Sequence, residues 1–255
     1  MKLLAFTRSL NTFLLCIFLP VFTVTAAEFQ KGFEAHLRGD YAAAIREWGP
    51  LAAQGDPRAQ FNIGNMFDFG KGVTEDNVQA VYWYKKSAEK GNASAQYALG
   101  WMYENGEGVK KDYGQAFIWY LKSAKRDNAA AQTNLGWMYE NGKGVEQDNA
   151  KAVGWYKKSA ELGQAEGELN LGIMYKSGKG VDKDYLQAIF WFEKSAVQDN
   201  TNAQLNLGII YKNGKGVRTD YTQAVYWLKK AADKGHSAAL TNLGWLYENG
   251  KGVAQ

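Results

Sequence analysis

The chain is expected to be all-α, a solenoid of stacked helix pairs, and three observations lead there. A Gly-x-Gly-Val loop begins at Gly70, Gly106, Gly142, Gly178, Gly214 and Gly250, always 36 residues after the last. Before each loop come leucine, glycine and tyrosine on one helical face, as in Leu99, Gly100 and Tyr103. After it come aspartate and then alanine, tryptophan and alanine at helical spacing, as in Asp112, Ala116, Trp119 and Ala124. A fixed period of this length marks one supersecondary unit that buries its apolar face only against its neighbours. One elongated domain follows.

Composition fits. A chain that is 46% hydrophobic and 14% aromatic is not disordered. The formal charge of +4 falls by two, to +2, without Lys2 and Arg8, too little to imply nucleic acid. The loops use twelve of the 28 glycines, so the glycine excess reflects turn geometry.

In chain order, residues 1–27 read as a secretory signal. Lys2 and Arg8 form its basic region, residues 13–22 its apolar run, and Val24-Thr25-Ala26-Ala27 its cleavage site. The run falls short of the roughly 20 residues a spanning helix needs, so no membrane span is expected in the mature chain. Cys16, the one cysteine, lies inside this segment, and Leu15 before it argues against a lipoprotein signal. The mature chain is therefore expected in the periplasm or medium, indifferent to an oxidising compartment.

Residues 28–58 read as a degenerate first unit. Phe29, Phe33 and Leu37 share a face, Gly39-Asp40 turns the chain, and Asp40, Ala44 and Ala52 match Asp76, Ala80 and Ala88. Trp48 stands one place late against the tryptophan column. Pro57 opens the first regular unit, and residues 59–253 hold five full units and a truncated sixth.

In each unit the first helix carries a glycine in mid-course, at a cost of about 1 kcal/mol against alanine. Its recurrence predicts a site where a neighbouring helix crosses too closely for a side chain. The second helix starts at Asp76, Asp112, Asp148, Asp184 or Asp220, with glutamine three residues on except at Lys151, a variant of the capping box. Trp83, Trp119, Trp155, Trp191 and Trp227 lie between alanines on a core stripe, large against small. The helix ends at Gly91, Asp127, Gly163, Asp199 or Gly235. Gly154 and Gly167 interrupt their columns close together and mark a bend or a weak joint.

This pattern of leucine-glycine, tyrosine, Gly-x-Gly-Val, aspartate, alanine, tryptophan and paired alanines resembles the Sel-1-like repeat family, relatives of tetratricopeptide repeats. The resemblance implies an α/α right-handed superhelix whose first helices line a concave face, and a non-catalytic adaptor that holds proteins together. Some secreted bacterial relatives carry a disulfide in every repeat, which this chain cannot form.

By the same resemblance, the groove holds columns of side chains. Tyr97 belongs to one, and Trp101, Trp137 and Trp245 to the next, where Ile173 and Ile209 also fall. A charged column changes sign from Asp68, Glu104 and Glu140 to Lys176 and Lys212, then back at Glu248. An amide column runs through Asn62, Asn134, Asn170, Asn206 and Asn242, broken by Ala98. Such amides can bond the backbone of an extended peptide while apolar rings grip its residues. The alternative is that the tryptophans pack on adjacent units and the asparagines bond their own helices.

Chemistry is sparse. His36 and His236 are far apart, so no metal site, cofactor or histidine-based triad is expected. Six like loops suit helix joints better than phosphate cradles. Ser87-Ala88-Glu89-Lys90 has the Ser-x-x-Lys spacing of penicillin-binding enzymes, which leaves a weak β-lactam-binding or cell-wall hydrolase as the alternative to a protein-binding scaffold. Asn92-Ala93-Ser94 fits a glycosylation sequon, relevant only in a eukaryotic host. The array stops after Tyr247 and the sixth loop, with no second helix to cover Leu243, so self-association through that end is a further expectation.

Overall fold

The computed structural model describes residues 26–252; the signal segment read at residues 1–27 lies almost wholly outside them, with Ala26 and Ala27 in the first turn of a helix. The described residues form thirteen α-helices and no strand. The first pair is α1 (Ala26–Leu37) and α2 (Tyr41–Gln54). Five regular pairs follow: α3 (Pro57–Asp68) and α4 (Asn77–Glu89), α5 (Ala93–Asn105) and α6 (Tyr113–Ala124), α7 (Ala129–Asn141) and α8 (Asn149–Glu161), α9 (Ala165–Ser177) and α10 (Tyr185–Val197), α11 (Thr201–Asn213) and α12 (Tyr221–Asp233). The last helix is α13 (Ser237–Glu248). Each helix packs on its neighbours in sequence, and α7 also meets α9, and α11 meets α13. No two second helices meet as closely, so first helices form the inner layer and second helices the outer one.

The second helices start as the aspartates predict, with one difference. Asp76, Asp112, Asp148, Asp184 and Asp220 each accept a hydrogen bond from the backbone N–H three residues on. The glutamines do not reciprocate, because each aspartate N–H already donates to a carbonyl of the preceding helix, as Asp112 does to Tyr103 at 2.8 Å. This bond ties the two helices of a repeat across the loop.

The loop's two glycines serve different ends. Gly106 caps α5 in the left-handed region, its N–H donating to the Met102 carbonyl. Gly108, also at positive φ, lies so close to the preceding repeat that a Cβ would stand 2.1 Å from the Asn77 carbonyl oxygen. The first turn of α4 thus packs on the loop of the next repeat, and the loop is a joint between units. Asp127 and Asp199 adopt positive φ at the helix ends where other units use glycine.

The mid-helix glycine does mark a close approach of the next helix, and what approaches is a side chain. A Cβ on Gly100 would stand 2.6 Å from the Tyr120 ring, and Gly64, Gly136 and Gly172 face Tyr84, Tyr156 and Phe192 likewise. Leu228 covers Gly208, and no atom comes within 4 Å of a Cβ built on Gly244. These covering residues, one place after the tryptophans, are the deepest of the core: Tyr84, Tyr120, Tyr156, Phe192 and Leu228 are at most 1% exposed. Trp48, also 1% exposed, covers Gly32 in the first pair. It is therefore in register with the tyrosine column, not late in the tryptophan one.

The tryptophans do another job. Each apolar core spans a repeat boundary: Ala80, Tyr84 and Ala88 of α4 meet Ala95, Leu99 and Met102 of α5, and Trp119 of α6 completes the group. Trp83, Trp155, Trp191 and Trp227 reach back in the same way. Trp119, Trp191 and Trp227 are buried, whereas Trp83 and Trp155 are only half-buried, so the core-stripe reading holds fully for three of five.

Two polar ladders run beside the cores. Ser87, Ser123, Ser159 and Ser195 donate to the carbonyls of Pro57, Ala93, Ala129 and Ala165 at the start of the same repeat. Gln60, Gln96, Gln132 and Gln204 donate to the carbonyls of Ala52, Ala88, Ala124 and Ala196 across the boundary. Glu168 stands where the fourth glutamine belongs and cannot donate as a carboxylate. It accepts from Gln198 at 2.8 Å instead, and burial pushes its pKa up. Here too Gly167 brings α9 against Ser159, and Gln164 makes no side-chain cap for α9. These differences gather at one junction, between α8 and α9; Gly154 itself touches nothing that a Cβ would meet.

Candidate partner-binding groove

The inner layer presents one row per helical turn of α3, α5, α7, α9, α11 and α13. Trp101, Trp137 and Trp245 are 37%, 36% and 44% exposed, so these rings are not packed away on the next unit. Lys212 lies over the Trp245 ring, its Nζ 5.1 Å from the centroid. Tyr97 is half-buried, its ring 5.7 Å from that of Tyr120.

The charged column is governed by the residue beneath it. The Tyr84 hydroxyl, with one proton to give, lies 2.8 Å from Asp68 Oδ2 and 2.7 Å from Asn65 Oδ1; Tyr120 donates to Glu104 at 2.7 Å, and Tyr156 to Glu140 at 3.0 Å. In the next two repeats Phe192 and Leu228 have no hydroxyl to give, and lysines stand in place of the acids. An acid above a buried ring needs that donor, and without it a cation takes the place. Burial, reinforced by the adjoining carboxylates, raises the pKa of all three phenols well above the ordinary tyrosine value, so they remain donors. Burial lowers the pKa of Lys176.

The amides turn out to be cross-repeat links. Lys176 Nζ donates to Asn206 Oδ1 and Lys212 Nζ to Asn242 Oδ1, both at 2.5 Å, while each amide nitrogen donates to its own helix at 2.8 Å. Burial raises the pKa of Tyr97 and Tyr120 in the preceding repeat, and the Asn134 side chain beside them opposes that shift. Of the predicted amides, Asn62 and Asn170 have no such link, and both are half-buried. Sequence reasoning missed the Tyr84, Tyr120, Tyr156, Phe192 and Leu228 column, although its change of type at Phe192 coincides with the change of sign at Lys176.

Between α3 and α5 the inner layer opens into a cleft of about 430 Å³. Phe61, Tyr97 and Trp101 give it aromatic walls, and Asn65, Asp68 and Glu107 give it polar ones. Ala98 also lines it, at the break in the amide column.

The Ser-x-x-Lys pair forms no reaction centre. Ser87 is wholly buried and donates its proton to the Pro57 carbonyl, and Lys90 Nζ donates to the Gly55 carbonyl at 2.6 Å. Ser87 is one rung of the serine ladder. Among the described residues no group of histidine, cysteine and carboxylate side chains could hold a metal, and no helix is long and apolar enough to cross a membrane.

Stacked helix pairs with an inner layer of exposed rings and linked polar columns define a helical-repeat solenoid of the tetratricopeptide-like class. The Sel1 repeat model matches residues 57–92, 93–128, 129–164, 165–200, 201–236 and 237–255, and the chain belongs to the Sel1 repeat family. Its members are generally non-catalytic and commonly serve as protein-interaction scaffolds. The chain is 38% identical to a protective antigen present in uropathogenic Escherichia coli strains, with 88% of this chain and 49% of that one covered and a TM-score of 0.82. It thus spans about half the length of that protein. A Sel1 repeat protein from Oxalobacter formigenes is 34% identical, with 86% of this chain and 89% of that one covered and a TM-score of 0.79. An immunity protein from Pseudomonas aeruginosa, 18% identical over 85% of each chain with a TM-score of 0.52, shares the fold alone. Among curated proteins none matches the chain.

Proposed function

We propose that the protein is an exported, non-catalytic adaptor that holds a peptide or protein partner along the inner face of its first helices. The observation that carries this reading is the row formed by Trp101, Trp137 and Trp245, one per repeat at the same position of the inner helices and at least 36% exposed. Large exposed rings on a rigid scaffold are the residue type that anchors partners. Export rests on the basic, apolar and small-residue order of residues 1–27.

A photoreactive phenylalanine at position 137 or 245 tests the groove, with one at Tyr226 on the outer layer as control. The expected result is a discrete crosslink from both inner positions and none from the outer one. Crosslinks from all three alike, or from the outer one only, defeat the reading. Intact-mass measurement on material recovered outside the cytoplasm tests export: the expected species begins at Ala27 or Glu28, and retained Met1 refutes it.

A further inference from the structure

We propose that the cleft between α3 and α5 is a socket for one cationic side chain, arginine or lysine, of the partner that lies in the groove. This rests on the groove reading above and adds what the groove selects at its first position.

Ring faces attract cations, and a carboxylate among rings attracts them more strongly where water is partly displaced. The cleft offers Phe61, Tyr97 and Trp101 together with Asp68 and Glu107. Asp68 is left without a counter-charge: its carboxylate accepts from Tyr84 only, and no ion pair reaches it among the described residues. Glu140, Asp56 and Asp199 are neutralised by Lys179, Arg58 and Lys234, whereas Asp68, like Glu104 of the next repeat, is held by a phenol alone. The one charged group acting on Asp68 is Glu75, of like sign, which adds to burial in raising its pKa. A cation in the cleft would reverse both effects. Lys71 lies over the rings of Tyr41 and Phe69, the latter at the edge of the cleft, and makes no ion pair with Asp68.

The residues around the cleft differ from those at the equivalent positions of later repeats. One repeat on, the Asn134 side chain acts on the hydroxyls of Tyr97 and Tyr120. Its counterpart in α5 is Ala98, too short to reach Phe61 or Tyr84, and space remains. Two repeats on, Glu140 is paired with Lys179, and beyond that the acid is replaced by lysine. The break in the amide column thus falls at the socket wall.

The test uses the full chain, 15N-labelled, and follows the Trp101 indole N–H on titration with the capped tripeptide acetyl-Gly-Arg-Gly-amide. Its citrulline isostere, equal in shape and neutral, is the control. The expected result is a saturable shift with arginine and binding about tenfold weaker with citrulline. D68N should remove that difference while keeping an acceptor for Tyr84, and A98N, which restores the residue of the other units, should abolish the shift in a folded protein. Equal affinity for the two peptides, an unchanged response in either variant, or no saturable shift at millimolar peptide overturns the socket. If the socket fails while position 137 still crosslinks a partner, the groove reading stands without it; if both fail, both fall.

Discussion

Replacing Gly136 by alanine puts a methyl group 2.5 Å from both Cδ1 and Cε1 of Tyr156. Carbon atoms rest at about 3.5–4.0 Å, so the ring would have to retreat by roughly 1 Å. It cannot do so freely, being 1% exposed and held through its hydroxyl to Glu140 at 3.0 Å. Overpacking of this kind costs about 1–3 kcal/mol, and loss of the phenol bond adds about 1 kcal/mol. Removing a mid-helix glycine returns about 1 kcal/mol. The net expectation is destabilisation by about 1–3 kcal/mol, felt in α7 and α8 first. Gly244→Ala in the same column meets nothing within 4 Å and should instead stabilise α13 by up to about 1 kcal/mol. Native-state hydrogen exchange reads both locally, which suits a repeat array that need not unfold as one unit. Slower exchange in α7 and α8 of Gly136→Ala, or the same sign of effect at both positions, would refute the ring-over-glycine account.

Trp191→Ala should cost roughly 3–5 kcal/mol and loosen α8 and α9, whose core it completes, more than its own α10; Trp137→Ala should leave helicity by circular dichroism nearly unchanged. Ser87→Ala should lower the urea midpoint by an amount equivalent to about 1 kcal/mol, from loss of a buried hydrogen bond, and mass spectrometry should find no acyl adduct on the natural protein after incubation with penicillin. Glu168→Gln should restore the bond to the Ala160 carbonyl that the other glutamines make in their units and stabilise the neutral-pH protein by about 1 kcal/mol. Because burial raises the folded pKa of Glu168 above 4.5, the natural chain loses stability as pH rises from there through that pKa. The advantage of the glutamine variant should accordingly grow over that window, and urea titrations at a series of pH values would expose a flat difference as a failure.

The period, the helix pairs and their caps were legible because each depends on residues close in sequence: Asp112 caps through the N–H three residues on, and Gly106 through the helix it ends. The core was less so. Positions seven and eight after the aspartate both lean inward on a helix, and the eye goes to the invariant tryptophan, although the deeper residue is the variable one that follows, Tyr120 or Phe192. Trp48 looked displaced for the same reason. In the groove, the exposed rings at Trp101, Trp137 and Trp245 follow from helical spacing, but the asparagines do not: Lys176 meets Asn206 across 30 residues, a distance set by stacking and absent from any single-helix pattern. The clue in the sequence was a coincidence of columns, with phenol and acid changing together at Phe192 and Lys176.

Because every core straddles a boundary, and all but that of α12 and α13 take in the following tryptophan, a nascent chain closes these seams one step behind synthesis. When α5 has left the ribosome, the seam it shares with α4 still lacks Trp119 and stays open until α6 emerges. The growing end thus always carries one unfinished seam and never more, whatever the number of units already made. Lengthening such an array by another unit moves the open seam along without reopening those behind it.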